Sequence, residues 1–249
     1  MIVSVAKGYM LETLRNFGVL FGNILPPIIF LICSVLVKSF LDSPETVEFM
    51  IKGQFLPISI LLLLFSFSLS SATIYLAELK AHKTFHWLKR TDVSPFIYFL
   101  GMGVGVFLFM NLLLILLLIG YAWVASISIT SFLMIHFICN LILLALYPAS
   151  FIIAGIVKDE KVAQSLLVPG MIILMFSITM PSLFLTIGGA NPQDYYIFLS
   201  WNPMLYLFDT LHAQLQLIDH TWLNLYHYAL ILIGFSIIFS ILAKKIYNR

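Results

Sequence analysis

Six continuous apolar stretches, each long enough to cross a lipid bilayer as a helix, constrain this chain more than any other feature. The hydrocarbon core of a bilayer needs roughly 20 apolar helical residues, and its lack of water excludes irregular backbone that faces lipid. The stretches are unbroken runs of Leu, Ile and Phe rather than the short alternating segments of a transmembrane barrel. We therefore predict an all-α polytopic membrane protein with transmembrane helices at residues 17–41, 55–77, 95–124, 131–156, 165–188 and 222–243.

The amino-acid composition excludes a water-soluble fold. Of the 249 residues, 61% are hydrophobic and 10% are charged, and the mean hydropathy is +1.05. Soluble domains carry about 25% charged residues, so a soluble enzyme and a nucleic-acid-binding protein are both excluded. Because apolar residues extend along the whole chain, we predict one membrane domain over residues 1–249.

The first 16 residues precede the first apolar stretch and carry an amphipathic pattern. Ile2, Val5, Ala6, Tyr9 and Thr13 share one side of a helix, while the charged residues lie elsewhere on it. This pattern predicts an interfacial helix over residues 1–16 that lies along the membrane surface. The alternative is a frayed tail with weak amphipathic character.

The distribution of Lys and Arg predicts the orientation of the chain. With both termini in the cytoplasm, eleven of the 13 basic residues fall in inner segments and only Lys38 and Lys52 fall in outer ones. Basic residues are retained on the cytoplasmic side of membrane proteins, so we expect both ends to be cytoplasmic.

The first inner loop, residues 78–92, is the densest cluster of charge in the sequence. It can form a short helix parallel to the membrane, with one apolar side and one basic side. Such a helix suits docking to a partner protein, whereas a loop that only sets topology and contacts anionic lipid would have the same composition. The apolar members of the pattern are Leu79, Phe85 and Leu88, and the basic members are Lys80, Lys83, Lys89 and Arg90.

A long outer segment, residues 189–221, separates the last two stretches. It contains no Lys or Arg but many aromatic residues, and loops of this length without structure are uncommon. We expect one or two short helices within residues 198–216 that dip into the outer leaflet, where aromatic rings are favoured. The alternative is a lid that seals the bundle.

Polar and small residues inside the apolar stretches favour packing over chemistry. His136, His227, Asn23, Asn111 and Asn140 are the main polar side chains there, and hydrogen bonds between helices are commoner than catalysis at such positions. Small residues let helices approach one another closely. These are Gly101 and Gly105 in the third stretch and Ser66, Ser68, Ser70 and Ser71 in the second.

Several enzyme motifs are missing from the sequence. A phosphate-binding P-loop needs a Gly-Lys pair, and none of the 13 glycines is followed by lysine. The HExxH and GxSxG signatures of hydrolases are also missing. We therefore predict that this chain is not an enzyme, does not hydrolyse ATP alone and holds no cofactor or metal of its own.

Two local motifs resemble those of the permeases of type 2 ATP-binding-cassette exporters. Thr84-Phe85, Leu88, Thr91 and Val93-Ser94-Pro95 resemble the coupling helix that joins the second and third spans of that family. Trp201-Asn202-Pro203-Met204 with Tyr206 is similar to the family's Asn-Pro-hydrophobic-x-Tyr stretch before the last span. The number of spans and the placement of the loops extend the resemblance over nearly the whole chain.

The resemblance implies a half-transporter. Two copies of this chain, or this chain and a sister permease, would form the pathway within membrane lipid, and a cytoplasmic ATPase subunit would bind ATP and Mg. It assigns coupling to the ATPase to Glu78, Lys80, Lys83, Phe85, Leu88, Lys89 and Arg90, and an external gate or lid to Trp201, Asn202, Pro203 and Tyr206.

The apolar pathway and its lack of a charged ring favour amphipathic or hydrophobic cargo. Members of the family export bacteriocins, toxin peptides such as phenol-soluble modulins, drugs or lipid-linked glycans, and we favour the peptides. A structural or immunity-type membrane protein without transport and an ATP-independent carrier are alternatives from other classes.

Overall fold

The computed structural model describes residues 1–82 and 94–247, and helices account for nearly all of them, with no β-strand in these ranges. Six helices are long and apolar enough to cross a membrane, which confirms the predicted all-α polytopic class. These are α2, α3, α4, α5, α6 and α9. The helices are α1 (Ile2–Arg15), α2 (Phe17–Phe40), α3 (Pro44–Ala81), α4 (Pro95–Ala125), α5 (Ile129–Ile156), α6 (Glu160–Ile187), α7 (Tyr196–Leu199), α8 (Met204–Gln214) and α9 (Leu225–Tyr247).

Capping residues set where α4, α5 and α6 begin, and they start α5 and α6 a few residues before the apolar stretches predicted for them. Side chains of Ser94, Ser128 and Asp159 each accept a hydrogen bond from the backbone N–H three residues later, at 2.9–3.2 Å. We name the end of the bundle where α2, α4 and α6 end the outer end, and the opposite end the inner end. The end of α3 and the start of α4, which flank the predicted first loop, lie at the inner end, and residues 83–92 of that loop fall outside the described residues.

Helix α3 is the centre of the bundle. In its most apolar 18-residue window 83% of the residues are buried, against 11% in α2 and 22% in α6. It packs against α2, α4, α5 and α6. Two π-helical turns interrupt it, at Ile51–Phe55 and Phe65–Ser71, and such turns free backbone carbonyl groups from the regular ladder.

Helix α1 packs along α4 through the small residues that the sequence singled out. A Cβ added to Gly101 would lie 2.7 Å from Cβ of Val5, and one added to Gly105 would lie 2.9 Å from Cδ1 of Tyr9. Tyr9 is buried, and its hydroxyl lies 3.1 Å from Oγ of Ser71 on α3. The predicted apolar side of α1 is therefore the side that contacts the bundle.

A pair of asparagine side chains joins α4 to α5, and a long helix–helix contact joins α5 to α9. Asn111 on α4 and Asn140 on α5 exchange two amide hydrogen bonds of 2.8 and 2.9 Å, as expected of polar groups in a membrane interior. Helices α5 and α9 form the most extensive pair in the described structure. Near its inner end, a Cβ on Gly155 would overlap Cγ2 of Ile246.

Candidate functional site

The outer segment folds back into the bundle. Its helix α8 is covered on every side, because each residue of Met204–Leu211 is buried, and it packs against α3, α5 and α6. Helix α7 differs, since Ile197 and Phe198 are exposed. The segment therefore combines one fully inserted helix with one short helix whose apolar side chains face outward.

The predicted gate residues hold the break between α7 and α8. Asn202 is fully buried, and its Nδ2 donates to the carbonyl of Leu174 on α6 at 2.7 Å while its Oδ1 accepts from N–H of Met204 at 3.0 Å. Tyr206 is buried, and its hydroxyl donates to the carbonyl of Ser200 at 2.7 Å. Pro203 is buried beside them, whereas Trp201 is 51% exposed.

A buried acid, Asp209, joins the separate parts of the outer segment. Its carboxylate accepts hydrogen bonds from Nε2 of Gln193 at 3.0 Å, from N–H of Trp222 at 2.9 Å and from the hydroxyl of Tyr228 at 2.6 Å. Burial raises the pKa of Asp209, and the three hydrogen bonds oppose that rise. Sequence reasoning gave Asp209 no role, because its partners lie at irregular separations of 13, 16 and 19 residues.

A cavity of about 400 Å³ opens between the outer segment and the outer ends of α3 and α6. His212 lines it, its ring contacts that of Phe208 with ring centres 4.1 Å apart and planes tilted by 52°, and its Nε2 donates to the carbonyl of Gly53 at 3.3 Å. Burial lowers the pKa of His212 to about 4, so its ring is neutral at neutral pH. The described lining carries no charged side chain, and its amide side chains are Gln54, Asn191 and Gln193.

The inner end holds the described part of the predicted coupling residues. Glu78 is half-buried on the last turns of α3, and Lys80 reaches across to α5. Nζ of Lys80 donates to the carbonyl oxygens of Gly155 and Val157, both at 2.8 Å. Lys83, Phe85, Leu88, Lys89 and Arg90 lie outside the described residues.

Other polar residues in the membrane helices show no catalytic arrangement in the described ranges. Nδ1 of His136 is buried without a hydrogen-bond partner, and His227 is exposed near the start of α9. Within residues 1–82 and 94–247 no group of three His, Cys, Asp or Glu side chains is placed to hold a metal ion. The two cysteines, Cys33 and Cys139, are not joined by a disulfide.

The described structure is that of a multi-pass membrane protein with six membrane helices and one inserted outer helix, α8. It is built around α3, the membrane helix that reaches from the outer cavity to the first inner loop. Residues 42–244 match the family model described as ABC-2 family transporter protein, so the chain belongs to that family. This confirms the resemblance read from the two local motifs and makes the chain the membrane component of a transporter, whose family implies an ABC ATPase subunit as partner. No match was found among curated proteins.

Proposed function

We propose that this chain is the permease half of an exporter that moves amphipathic or hydrophobic peptides out across the cytoplasmic membrane, driven by ATP hydrolysis on a separate subunit. The observation that carries this proposal is helix α3. Its residues Gly53 and Gln54 line the outer cavity, and its last residue, Ala81, lies within the first inner loop. A displacement of that loop therefore reaches the cavity through one continuous element.

Family membership and the missing P-loop support a separate ATPase as the energy source. A chain without a Gly-Lys pair needs a partner to bind ATP and Mg. In this proposal Phe85 and Leu88 insert into a pocket of the cytoplasmic ATPase, and Glu78, Lys83, Lys89 and Arg90 lie at the rim of that contact. Both termini face the cytoplasm, and a second copy or a sister permease completes the pathway.

The uncharged interior supports amphipathic or hydrophobic cargo. The described lining of the outer cavity combines neutral amide and hydroxyl groups with apolar side chains such as Phe49, Leu183 and Leu217. A lining of that kind can hydrogen-bond a peptide backbone and cover apolar side chains without a charge to compensate. Bacteriocins, toxin peptides and peptides like phenol-soluble modulins have this chemistry.

Export of drugs or lipid-linked glycans by the same class of transporter is the second candidate function. The observation that favours glycans is the group of amide side chains at the cavity, Gln54, Asn191 and Gln193, because amides both donate to and accept from sugar hydroxyl groups. Comparing labelled peptide and labelled glycan as competitors for transport separates the two cargo classes.

Co-purification with the ATPase tests the proposed partnership. The double variant Phe85→Ala with Leu88→Ala should insert in the membrane but lose the ATPase, since truncating a buried interface anchor commonly costs about 2 kcal/mol or more. Lys89→Gln is the matched control and should weaken the complex only mildly, because rim charges contribute less. Full retention of the ATPase by the double variant, with loss in Lys89→Gln, would instead indicate a loop whose charge alone matters.

A further inference from the structure

Lys80 makes an unusual contact for a residue expected to face a partner protein. Its Nζ lies 2.8 Å from the carbonyl oxygens of Gly155 and Val157 and 3.4 Å from that of Ala154. An ammonium group has three N–H donors, and three carbonyl oxygens lie within reach of them. The charge of Lys80 is thus directed at α5 rather than away from the bundle.

The acceptors belong to the C-terminal end of α5, which ends at Ile156. The last carbonyl groups of a helix have no partner within it and carry the negative end of its dipole. Lys80 therefore caps α5 from a neighbouring helix. A second hydrogen bond between α3 and α5 runs from Oγ1 of Thr73 to the carbonyl of Ser150 at 3.4 Å.

The capped end of α5 also contacts α9. A Cβ on Gly155 would overlap Cγ2 of Ile246, so the side chain of Ile246 on α9 packs directly against the backbone of α5 at Gly155. Ala154, next to Gly155 on α5, and Ala243, one turn before Ile246 on α9, are both buried. The end of α3, the end of α5 and the end of α9 therefore form one connected unit at the inner end.

We propose that Lys80 is a positioning residue that transmits movement of the first inner loop from α3 to α5 and α9, rather than a contact with the ATPase. This rests on the proposed function, in which the loop after Ala81 docks on that subunit. With Lys80 in place, a shift of the end of α3 pulls the end of α5 with it. Without this cap, α3 moves and the α5–α9 pair stays behind.

A fluorescent reporter at the outer end of α9 tests this in the complex with its ATPase, reconstituted in nanodiscs. Tyr226 is 69% exposed there, so a dye on Tyr226→Cys, with Cys33→Ser and Cys139→Ala as background, reports movement of α9 when ATP and vanadate are added. In Lys80→Met the ATP-induced signal should fall about fivefold, while the ATPase co-purifies in equal amount and hydrolyses ATP. Lys80→Arg keeps the positive charge and should retain most of the signal.

Lys38 provides a matched control, because its Nζ donates to the carbonyl of Val124 at the outer end of α4, at 2.5 Å. Lys38→Met removes the same kind of lysine-to-helix bond far from the loop and should keep the full signal. Three results would overturn the assignment. The fluorescence signal could be undiminished in Lys80→Met, that variant could lose the ATPase, or the signal could fall equally in Lys38→Met. No ATP-induced signal in the complex with Lys80 intact would overturn the proposed function together with it.

Discussion

A carboxylate is costly to bury, and Asp209 shows how this fold compensates for that cost. Its three hydrogen-bond donors come from the turn at Gln193, from the backbone at Trp222 and from Tyr228 on α9. Hydrogen bonds to a charged acceptor are stronger than those between neutral groups. One side chain therefore fixes the outer segment to the start of the last membrane helix.

Replacing this carboxylate should loosen the outer segment. Asp209→Asn places an N–H₂ group opposite donors that need an acceptor, and an unsatisfied buried polar group costs about 1–3 kcal/mol. We expect a lower melting temperature and faster proteolysis of residues 189–221. Asp219→Asn, which changes an exposed acid of the same segment, should leave both unchanged. Equal behaviour of the two variants would contradict the role given to Asp209.

His212 should make stability fall as the pH drops. Burial lowers its pKa to about 4 in the folded chain, below the value of about 6.5 in an unfolded chain. The unfolded state then binds more protons between these values, so stability decreases as the pH falls from about 6.5 towards 4. The measurement is the change in melting temperature between pH 7 and pH 5.

His212→Gln can keep the hydrogen bond to the carbonyl of Gly53 but has no proton to gain. Asp209 titrates in both proteins, with a raised pKa and the opposite effect on stability, so it cancels when the two are compared. The change in melting temperature from pH 7 to pH 5 should be less negative in His212→Gln. An identical pH dependence in both proteins would show that His212 is not the group responsible.

At the scale of elements, the bounds of the membrane helices can be predicted from hydropathy. Hydrogen bonds between residues far apart in the sequence cannot. Hydropathy locates α4 within one residue of its observed bounds, 95–125, because nearly all of that helix is apolar. It places the start of α3 at residue 55 instead of Pro44, because Thr46, Glu48 and Lys52 extend the helix with polar side chains. The bond from Lys80 to Gly155 joins residues 75 apart, and no local pattern encodes it.

The first π-helical turn of α3, at Ile51–Phe55, has a physical reason that also lies beyond the sequence pattern. Carbonyl oxygens of Gly53 and Phe55 accept hydrogen bonds from His212 at 3.3 Å and from Tyr121 at 3.2 Å, so partners on α8 and α4 satisfy the freed groups. These donors are known only once the helices are assembled. The Asn202-Pro203 motif was visible in sequence, but the insertion of α8 among the spans was not.

The contact between α1 and α4 depends on the absence of a side chain at Gly105. A methyl group there would lie 2.9 Å from Cδ1 of Tyr9 and 3.1 Å from the backbone carbonyl oxygen of Ala6, so α1 must move away. We expect Gly105→Ala to destabilise the protein by about 1–3 kcal/mol, as overpacking does, and to speed hydrogen exchange in α1.

Gly234→Ala is the control for this substitution, because a Cβ on Gly234 meets no atom within 4 Å. Alanine is the better helix former, so this variant should not lower stability. If Gly105→Ala leaves hydrogen exchange in α1 unchanged, α1 is not held by the groove that Gly101 and Gly105 form.

At the scale of the whole molecule, α3 connects the two ends at which the proposed function acts. It begins beside the outer cavity, crosses the centre of the bundle and ends at the first inner loop. Most of the apolar surface of α2 and α9 faces away from the rest of the chain, since only 11% and 17% of their most apolar windows are buried. Of the six membrane helices, the one that links loop to cavity is therefore the most deeply buried.

ATP-dependent transport by the purified complex tests the central claim most directly. The measurement is uptake of a fluorescent amphipathic helical peptide into inside-out proteoliposomes that contain this chain and its ATPase. We predict uptake with ATP and Mg, and none when this chain, the ATPase or ATP is left out. Equal uptake without ATP or without the ATPase would contradict the account and identify an ATP-independent carrier instead.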